Sequence, residues 1–259
     1  MDRSNPKTLP MKNTFCDLDK DQLVIIPDVH GRDFWREAVR LRPDAEFLFL
    51  GDYLDPYPHE GISRDKAFAG LLDIIAFKEA NPEKVTLLMG NHDLHYLYPN
   101  LMGSRYDYVN AGRNASLFRE KRSLFSLAHE TTAGGKRFLF THAGVGRGWI
   151  TRYLPTLDGK DLNAELLNGM AELPAFVRAL GDVSFYRGGG DPFGSMVWAD
   201  VNEHMDEGNR FPEVVQVFGH TMDSQPVVCR ERVYCLDCSR PFILDRNDGT
   251  IYDFEGHPV

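Results

Sequence analysis

The sequence predicts an α/β protein built on a largely parallel sheet covered by helices. Short apolar runs alternate with helical patterns through the first hundred residues, in the order β-α-β-α-β. Near the C-terminus short β-rich runs follow one another, and Asn247-Asp248-Gly249 is a strong hairpin signal. A chain of 259 residues can bury a substantial core, so we expect one large domain rather than two.

The individual elements follow from the same patterns. Ser63 is the expected N-cap of a helix that runs to Glu79, with Phe68, Leu71, Leu72 and Ile75 on its core face. Other helices are predicted over residues 32–41 and 114–129, and within the less readable segment 143–212. The segment 94–113 is predicted to be irregular. Strands are predicted over 23–26, 46–50, 84–89, 137–141, 214–218, 227–229, 233–236, 242–244 and 251–254.

Composition narrows the functional class. The formal net charge of −9 argues against general nucleic-acid binding, which needs a basic face. No run approaches the roughly 18 apolar residues of a membrane-spanning helix. Residues 1–20 are polar and lack a signal-peptide core, so we expect a loose N-terminal leader before a single domain over 21–259. The four cysteines (Cys16, Cys229, Cys235 and Cys238) are then expected to be reduced thiols in the cytoplasm.

Five predicted strands each end in residues that commonly bind metals. These are Asp28 with His30, Asp52, Asn91 with His92, His142, and His220. A single one would usually be a turn residue, but strand ends of one sheet converge on one edge. Mixed oxygen and nitrogen donors suit Mn, Fe or Zn, and the set is large enough for two ions that share a bridging carboxylate. Two such ions are typical of phosphoester hydrolases.

The motifs around these residues resemble those of a known family, the calcineurin-like metallophosphoesterases, and within it the phosphoprotein phosphatase branch. They occur in the family's order as Asp28-Val-His-Gly31, Gly51-Asp-Tyr-Leu-Asp55, Gly90-Asn-His-Asp93, Thr141-His-Ala-Gly144 and Gly219-His-Thr221, with Met196-Val-Trp-Ala-Asp200 before the last. The resemblance covers about residues 23–240. It implies a four-layer αββα sandwich and hydrolysis of a phosphorylated substrate, either a phosphoprotein or a small phosphoester.

The resemblance also implies a role for each site residue. Asp28, His30 and Asp52 would hold the first metal ion, with Asp52 bridging to the second. Asn91, His142 and His220 would complete the second. His92 would contact the phosphate and protonate the leaving oxygen, oriented by Asp55. A metal-bridging hydroxide would attack phosphorus in line, without a phosphoenzyme.

One departure from the family pattern concerns substrate binding. Pro56-Tyr57 stands where the phosphoprotein branch usually has Arg-Gly, and proline cannot replace an arginine that binds phosphate. Another arginine would then take this role, and Asp93, where the family more usually has Glu, is a further candidate for binding the substrate or supporting the site. The candidate arginines by position are Arg32, Arg113, Arg147, Arg187 and Arg240.

Several alternatives stay open. One is a nucleotide hydrolase acting on dinucleoside polyphosphates or cyclic nucleotides. Another is a non-catalytic, metal-stabilised interaction module, which the presence of both His92 and Asp55 disfavours. Cys235 and Cys238 have redox or zinc spacing but are expected to be ordinary thiols. The oligomeric state is open. Five histidines without motif support are expected to be surface or structural residues: His59, His95, His129, His204 and His257.

Overall fold

The computed structural model describes residues 21–259, so the predicted leader over residues 1–20 lies outside the described residues. The strands, numbered along the chain, are β1 (Gln22–Ile26), β2 (Glu46–Phe49), β3 (Val85–Leu88), β4 (Phe125–Ser126), β5 (Ala128–Ala133), β6 (Lys136–Thr141), β7 (Val215–Phe218), β8 (Val227–Cys229), β9 (Val233–Cys235), β10 (Phe242–Asp245) and β11 (Thr250–Asp253). The helices are α1 (Phe34–Leu41), α2 (Arg64–Ala80), α3 (Asn91–Leu97), α4 (Ala111–Glu120), α5 (Arg147–Ile150), α6 (Ala164–Met170) and α7 (Pro174–Ala179).

The strands form two sheets. The first has the order β11-β10-β1-β2-β3-β4 and the second β5-β6-β7-β9-β8. Strands β1 to β4 are parallel, whereas β10 runs antiparallel to both β1 and β11. In the second sheet β6, β7 and β9 are parallel, and both edge strands are antiparallel to their neighbours. The site residues follow the carboxyl ends of the parallel strands in both sheets.

In the first sheet, successive residues of a strand are buried on opposite faces of the sheet. In β1, Leu23 and Ile25 belong to the core that also contains Phe140 and Val217 of the second sheet. Their neighbours Val24 and Ile26 belong instead to the core formed with the helices, which includes Trp35 of α1, Leu71 of α2 and Leu167 of α6. The two sheets therefore face each other and the helices lie outside them. This confirms the predicted αββα arrangement.

Most of the predicted elements are found in the structure. The helix after Ser63 begins where expected, because the Ser63 hydroxyl accepts a hydrogen bond from the Lys66 amide over 3.1 Å. Leu71 and Ile75 are buried as predicted, but Leu72 is 43% exposed, because it lies about 100° around the helix from Leu71. The Asn247-Asp248-Gly249 turn joins β10 to β11 as an antiparallel pair, with Gly249 at φ +70°. In the part of the chain described, no helix combines the length and the apolar character needed to cross a membrane.

One predicted helix is wrong in its second half. The helix expected over 114–129 starts three residues earlier as α4 and ends at Glu120, and His129 lies in β5. The reason is a hairpin that the helical pattern does not reveal. Gly134 and Gly135 both have positive φ and turn β5 back onto β6, which it pairs along six residues. The segment 94–113, expected to be irregular, also contains the last four residues of α3 and the first turn of α4.

Candidate metal centre

The strand ends bring six metal-ligand-type side chains to one place. Asp28 and His30 follow β1, Asp52 follows β2, Asn91 begins α3 after β3, His142 follows β6, and His220 follows β7. All six side chains are buried. Both sheets contribute, because the carboxyl ends of their parallel strands meet at the same edge of the sandwich.

The six side chains form two groups that share Asp52. Asp28, His30 and Asp52 present ligand atoms within 4.8 Å of one another, and so do Asp52, His142 and His220. The shared oxygen, Asp52 Oδ2, lies 3.5 Å from Nε2 of His30 and 3.5 Å from Nε2 of His142. Asn91 Oδ1 and His220 Nδ1 lie 3.0 and 3.1 Å from the same nitrogen of His142. A carboxylate between two donor groups is the arrangement that a bridging ligand requires.

Hydrogen bonds fix the tautomers of two of these histidines. Nδ1 of His30 lies 2.7 Å from the carbonyl oxygen of Leu54, and Nδ1 of His142 lies 2.8 Å from that of Leu50. Because a carbonyl oxygen only accepts, Nδ1 carries the proton in both rings. Each Nε2 therefore presents a lone pair to the carboxylates.

Backbone amides orient the carboxylates of Asp28 and Asp52. The amide of His92 donates to Oδ1 of Asp52 over 2.9 Å, and the amide of His220 donates to Oδ1 of Asp28 over 3.0 Å. The remaining oxygen of each carboxylate faces the histidine lone pairs. Burial raises the pKa of Asp28 to about 6 and that of Asp52 to about 8. Buried lone pairs that face one another need a cation between them, so the donor set fits metal ions.

Backbone conformation at the site is unusual. His30, Asp52, Asp55 and His220 all have φ between 44° and 66°, the left-handed region that non-glycine residues rarely adopt. Such conformations cost of order 1–3 kcal/mol each and concentrate at functional sites. Gly90 is also required here, because a Cβ at this position would lie 2.1 Å from Oδ1 of Asp52.

His92 lies beside these six side chains, here called the metal-type ligands. The opposite edge of its ring contacts a carboxylate. Its Nδ1 lies 2.9 Å from Oδ2 of Asp55. Tyr96 donates to Oδ1 of the same carboxylate over 2.5 Å. Burial raises the pKa of Asp55, but contacts with His92 and His95 outweigh it and hold that pKa below its usual value. Asp55 is therefore positioned to fix the ring of His92.

His95, for which no motif predicted a role, is fully buried beside this pair. Its Nε2 lies 2.7 Å from Oδ2 of Asp55, off the direction of a hydrogen bond. A signal for this position exists in the sequence, because residues three apart on a helix share a face and His95 follows His92 by three.

The tyrosines near His95 pack together, with the rings of Tyr96 and Tyr106 stacked 5.0 Å apart.

Arg105 is the site residue that the sequence pattern did not reveal. Its guanidinium lies 3.8 Å above the ring of Tyr57, donates to the carbonyl oxygen of Asp55, and places Nη2 3.0 Å from Nε2 of His92. Arg105 lines a cavity of about 170 Å³ together with Ser104, Arg187 and Trp198. The floor of this cavity is formed by five of the metal-type ligands and by His92.

Of the arginines proposed from the sequence, only Arg187 lines this cavity. It donates to the carbonyl oxygen of His220 over 2.9 Å and lies 3.1 Å from Asp200. Arg32 is paired with Glu60 and donates to the carbonyl oxygen of Asp28. The others lie elsewhere: Arg113 pairs with Asp65, Arg147 lies 4.7 Å above the Phe211 ring, and Arg240 donates to Gln225.

Asp93 holds the backbone of the site together. Its carboxylate accepts hydrogen bonds from the amides of Gly90, Asp52 and Tyr53 over 2.8 to 3.1 Å. These bonds tie the loop after β2 to the start of α3. The side chain is fully buried and does not line the cavity. The structure thus places Asp93 in a supporting position.

Comparisons with known proteins agree with this geometry. The model of the calcineurin-like phosphoesterase family matches residues 22–224. A Caenorhabditis elegans protein named "Putative serine/threonine-protein phosphatase C27B7.6" is 27% identical over 128 residues, which cover 48% of this chain and 26% of that protein. The chain therefore spans about a quarter of the length of this curated relative.

A solved structure is similar in fold. It is a protein serine/threonine phosphatase from Saccharomyces cerevisiae with similarity to human phosphatase PP5, and it aligns with a TM-score of 0.50. The alignment covers 93% of this chain and 82% of that chain at 15% identity. Since the family model matches most of the sequence, the chain belongs to the calcineurin-like phosphoesterase family.

Proposed function

We propose that this protein is a metal-dependent phosphomonoesterase that works with two transition-metal ions and resembles Ser/Thr phosphatases. The observation that carries the proposal is the orientation of His30 and His142, whose Nε2 lone pairs both face Oδ2 of Asp52. Manganese, iron or zinc suits such a mixture of nitrogen and oxygen ligands. Asp28, His30 and Asp52 would hold one ion, and Asp52, Asn91, His142 and His220 the other.

When bound, the two ions would activate water for attack on phosphorus and neutralise charge on the phosphoryl oxygens. The protein's own contribution begins with His92, which would protonate the leaving oxygen. Burial, together with the charge of Arg105, lowers the pKa of His92 to about 4, although the bond to Asp55 opposes the shift. The free site therefore holds His92 neutral, with its proton on Nδ1 facing Asp55.

Substrate binding would change that state. In the free site a guanidinium N–H of Arg105 donates to Nε2 of His92, the nitrogen that must deliver the proton. A phosphate dianion is a stronger acceptor for a guanidinium than a neutral imidazole. We therefore expect Arg105 to turn to the phosphate, and the pKa of His92 to rise beside the bound dianion. Arg105 would thereby couple phosphate binding to protonation of the acid.

Arg105 and Arg187 would together replace the phosphate-binding arginine that Pro56 precludes. Both line the cavity above the metal-type ligands, from different segments of the chain. The ring of Tyr57, the residue after Pro56, supports the guanidinium of Arg105. Two guanidinium groups can bind the phosphoryl oxygens that point away from the metal ions.

The proposed substrate is a phosphorylated side chain of a protein. Both relatives described above are named as serine/threonine phosphatases. A groove of about 330 Å³ adjoins the central cavity and shares Ser104, Arg187 and Trp198 with it. The central cavity is large enough for a phosphoryl group, and the groove could receive the chain that carries it.

A substrate screen with manganese-loaded protein tests this proposal. Phosphoserine and phosphothreonine peptides, an aryl phosphate, a cyclic nucleotide and a dinucleoside polyphosphate would be compared at equal concentration by kcat/KM. We expect the phosphomonoesters to be hydrolysed fastest, with loss of activity on chelation. Faster hydrolysis of either nucleotide substrate would replace the phosphomonoesterase with a nucleotide hydrolase. No hydrolysis of any of them would favour a non-catalytic module.

A further inference from the structure

A second cavity, far from the metal-type ligands, is lined by three arginines. It has a volume of about 150 Å³ and is bounded by Arg210, Arg230 and Arg232, together with Glu207 and an apolar wall of Phe211, Pro212 and Val233. Gln216 and Val233, at the amino ends of β7 and β9, also contribute to it. The metal centre lies at the opposite, carboxyl ends of the parallel strands. We infer that this cavity binds a small phosphate-bearing dianion.

The buried guanidinium of Arg210 is the strongest indication. The residue is only 9% exposed. Its guanidinium donates to Sγ of Cys229 over 3.0 Å, and no carboxylate in residues 21–259 lies within ion-pair distance of it. A thiol is a weak acceptor. Burying a charge without a counter-ion is costly, so a bound anion would supply the missing partner.

The charges around the cavity do not balance. Glu207 is the one acidic residue of the lining, and it is already paired with Arg230 over 3.0 Å. Arg232 has no carboxylate within ion-pair distance among the described residues. Three guanidinium groups against one carboxylate leave two positive charges in the lining, in a chain whose net charge is −9. A dianion would neutralise them.

The shape of the site favours phosphate over a dicarboxylate. Guanidinium groups match the oxygens of both groups. Three of them around one small cavity suit the terminal oxygens of a single tetrahedral centre, whereas a dicarboxylate needs two separated binding points. Liquid water takes about 30 Å³ per molecule, so the volume admits a phosphate with a few further atoms against the Phe211 wall.

The hairpin between β8 and β9 holds two of the arginines in place. The amide of Arg232 donates to the carbonyl oxygen of Cys229 over 3.0 Å, closing a turn in which Arg230 and Glu231 have φ of 49° and 52°. Turns of this kind favour Asn and Gly. A turn that instead carries Arg and Glu in the left-handed region is strained, and such strain is typical of functional segments.

Isothermal titration of manganese-loaded protein with inorganic phosphate tests the inference. We expect two sites in the wild type, one of which is lost on chelation. Arg232→Gln, which changes an exposed side chain, should weaken the chelation-insensitive site at least tenfold, and so should Arg210→Gln. Arg240→Gln, which changes a half-buried arginine outside this cavity, should leave both sites unchanged.

The contradicting results are distinct from those of the phosphatase assays. If wild type, Arg210→Gln and Arg232→Gln bound phosphate alike, or if chelation removed all phosphate binding, the inference would be overturned. Tighter binding of malonate than of phosphate at the chelation-insensitive site would overturn the assignment of phosphate. Hydrolytic activity plays no part in this test, so its result is independent of the proposed function.

Discussion

The guanidinium of Arg105 donates a hydrogen bond to Nε2 of His92 over 3.0 Å, while Asp55 binds the other nitrogen of the same ring. Before Nε2 of His92 can donate a proton, it must lose the hydrogen bond from Arg105 and become protonated itself. The proposed phosphate-binding group and the proposed acid are therefore coupled in this protein.

Replacing Arg105 with Ala tests this coupling. A hydrogen bond to a charged group contributes about 1.5–3 kcal/mol, so we expect kcat/KM to fall roughly 10- to 150-fold, mainly through KM. The pKa of His92 should rise in the free protein, because Arg105 is among the groups that lower it. Steady-state kinetics and NMR titration of the histidines measure the two effects. Arg113→Ala, which removes an arginine paired with Asp65 away from the cavity, is the control. An unchanged KM would contradict the proposed role of Arg105.

Replacing His92 with Asn should separate catalysis from metal binding. We expect kcat to fall by roughly 10²–10⁴, the usual contribution of a positioned acid or base, with the metal content unchanged. The exposed His59 offers a matched control as His59→Asn. Metal content is measured by elemental analysis of the same samples used for kinetics. Equal turnover in His92→Asn and wild type would exclude His92 as the acid.

Metal affinity should increase with pH between 6 and 8. Burial raises the pKa of Asp52 to about 8, so in the metal-free protein this carboxyl is mostly protonated below pH 8 and must lose its proton when a metal ion binds. One displaced proton corresponds to about a tenfold gain in affinity per pH unit. Equilibrium dialysis with Mn²⁺ at pH 6, 7 and 8 measures the slope. A flat profile would show that Asp52 is already ionised without metal.

The Asp52 carboxyl also makes the stability of the metal-free protein depend on pH. Here the effect has the opposite sign, because stability falls as the pH rises. Because its folded pKa lies above its ordinary value, the stability it contributes is present at low pH and is lost as the pH rises toward 8. Asp28, raised to about 6, acts in the same direction at lower pH. The buried His30, His92 and His220, whose pKa values burial lowers, act in the opposite direction below pH 6.5. Added metal should therefore stabilise the protein most at the alkaline end of this range.

Gly90→Ala should disrupt the site through one methyl group. The added Cβ would lie 2.1 Å from Oδ1 of Asp52 and 2.7 Å from Cε1 of His142, so the shared carboxylate must move. We expect loss of most metal binding and activity, measured by dialysis and phosphate release. Gly70→Ala is the control, because a Cβ there meets nothing within 4 Å and Ala in a helix interior should add up to about 1 kcal/mol of stability. Normal metal binding by Gly90→Ala would contradict the close packing around Asp52.

The sequence predicts the fold well wherever local patterns and topology agree. Apolar runs that stop at Asp28, Asp52 and His142 mark strand ends, and parallel topology then brings them together. The strand β5 was missed because Ala128–Ala133 gains its conformation from pairing with β6, a tertiary effect. The Gly134-Gly135 pair at its end was the available signal.

Arg105 could not be predicted because nothing local ties it to the motifs. Its position depends on a left-handed backbone at φ +59° and on packing of Gly103 against the Trp198 ring, 95 positions further along the chain. A Cβ at Gly103 would lie 2.8 Å from that ring. The close approach brings the loop over the cavity. Such contacts between distant segments leave no periodic trace in the sequence.

Anomalous diffraction from a crystal of manganese-loaded protein tests the two-metal centre directly. We expect two manganese peaks roughly 3.5–4 Å apart, one on each side of the Asp52 carboxylate. One peak should contact Asp28 and His30, and the other Asn91, His142 and His220. A single peak, or peaks that do not contact Asp52, would contradict the two-metal centre on which the proposed function depends.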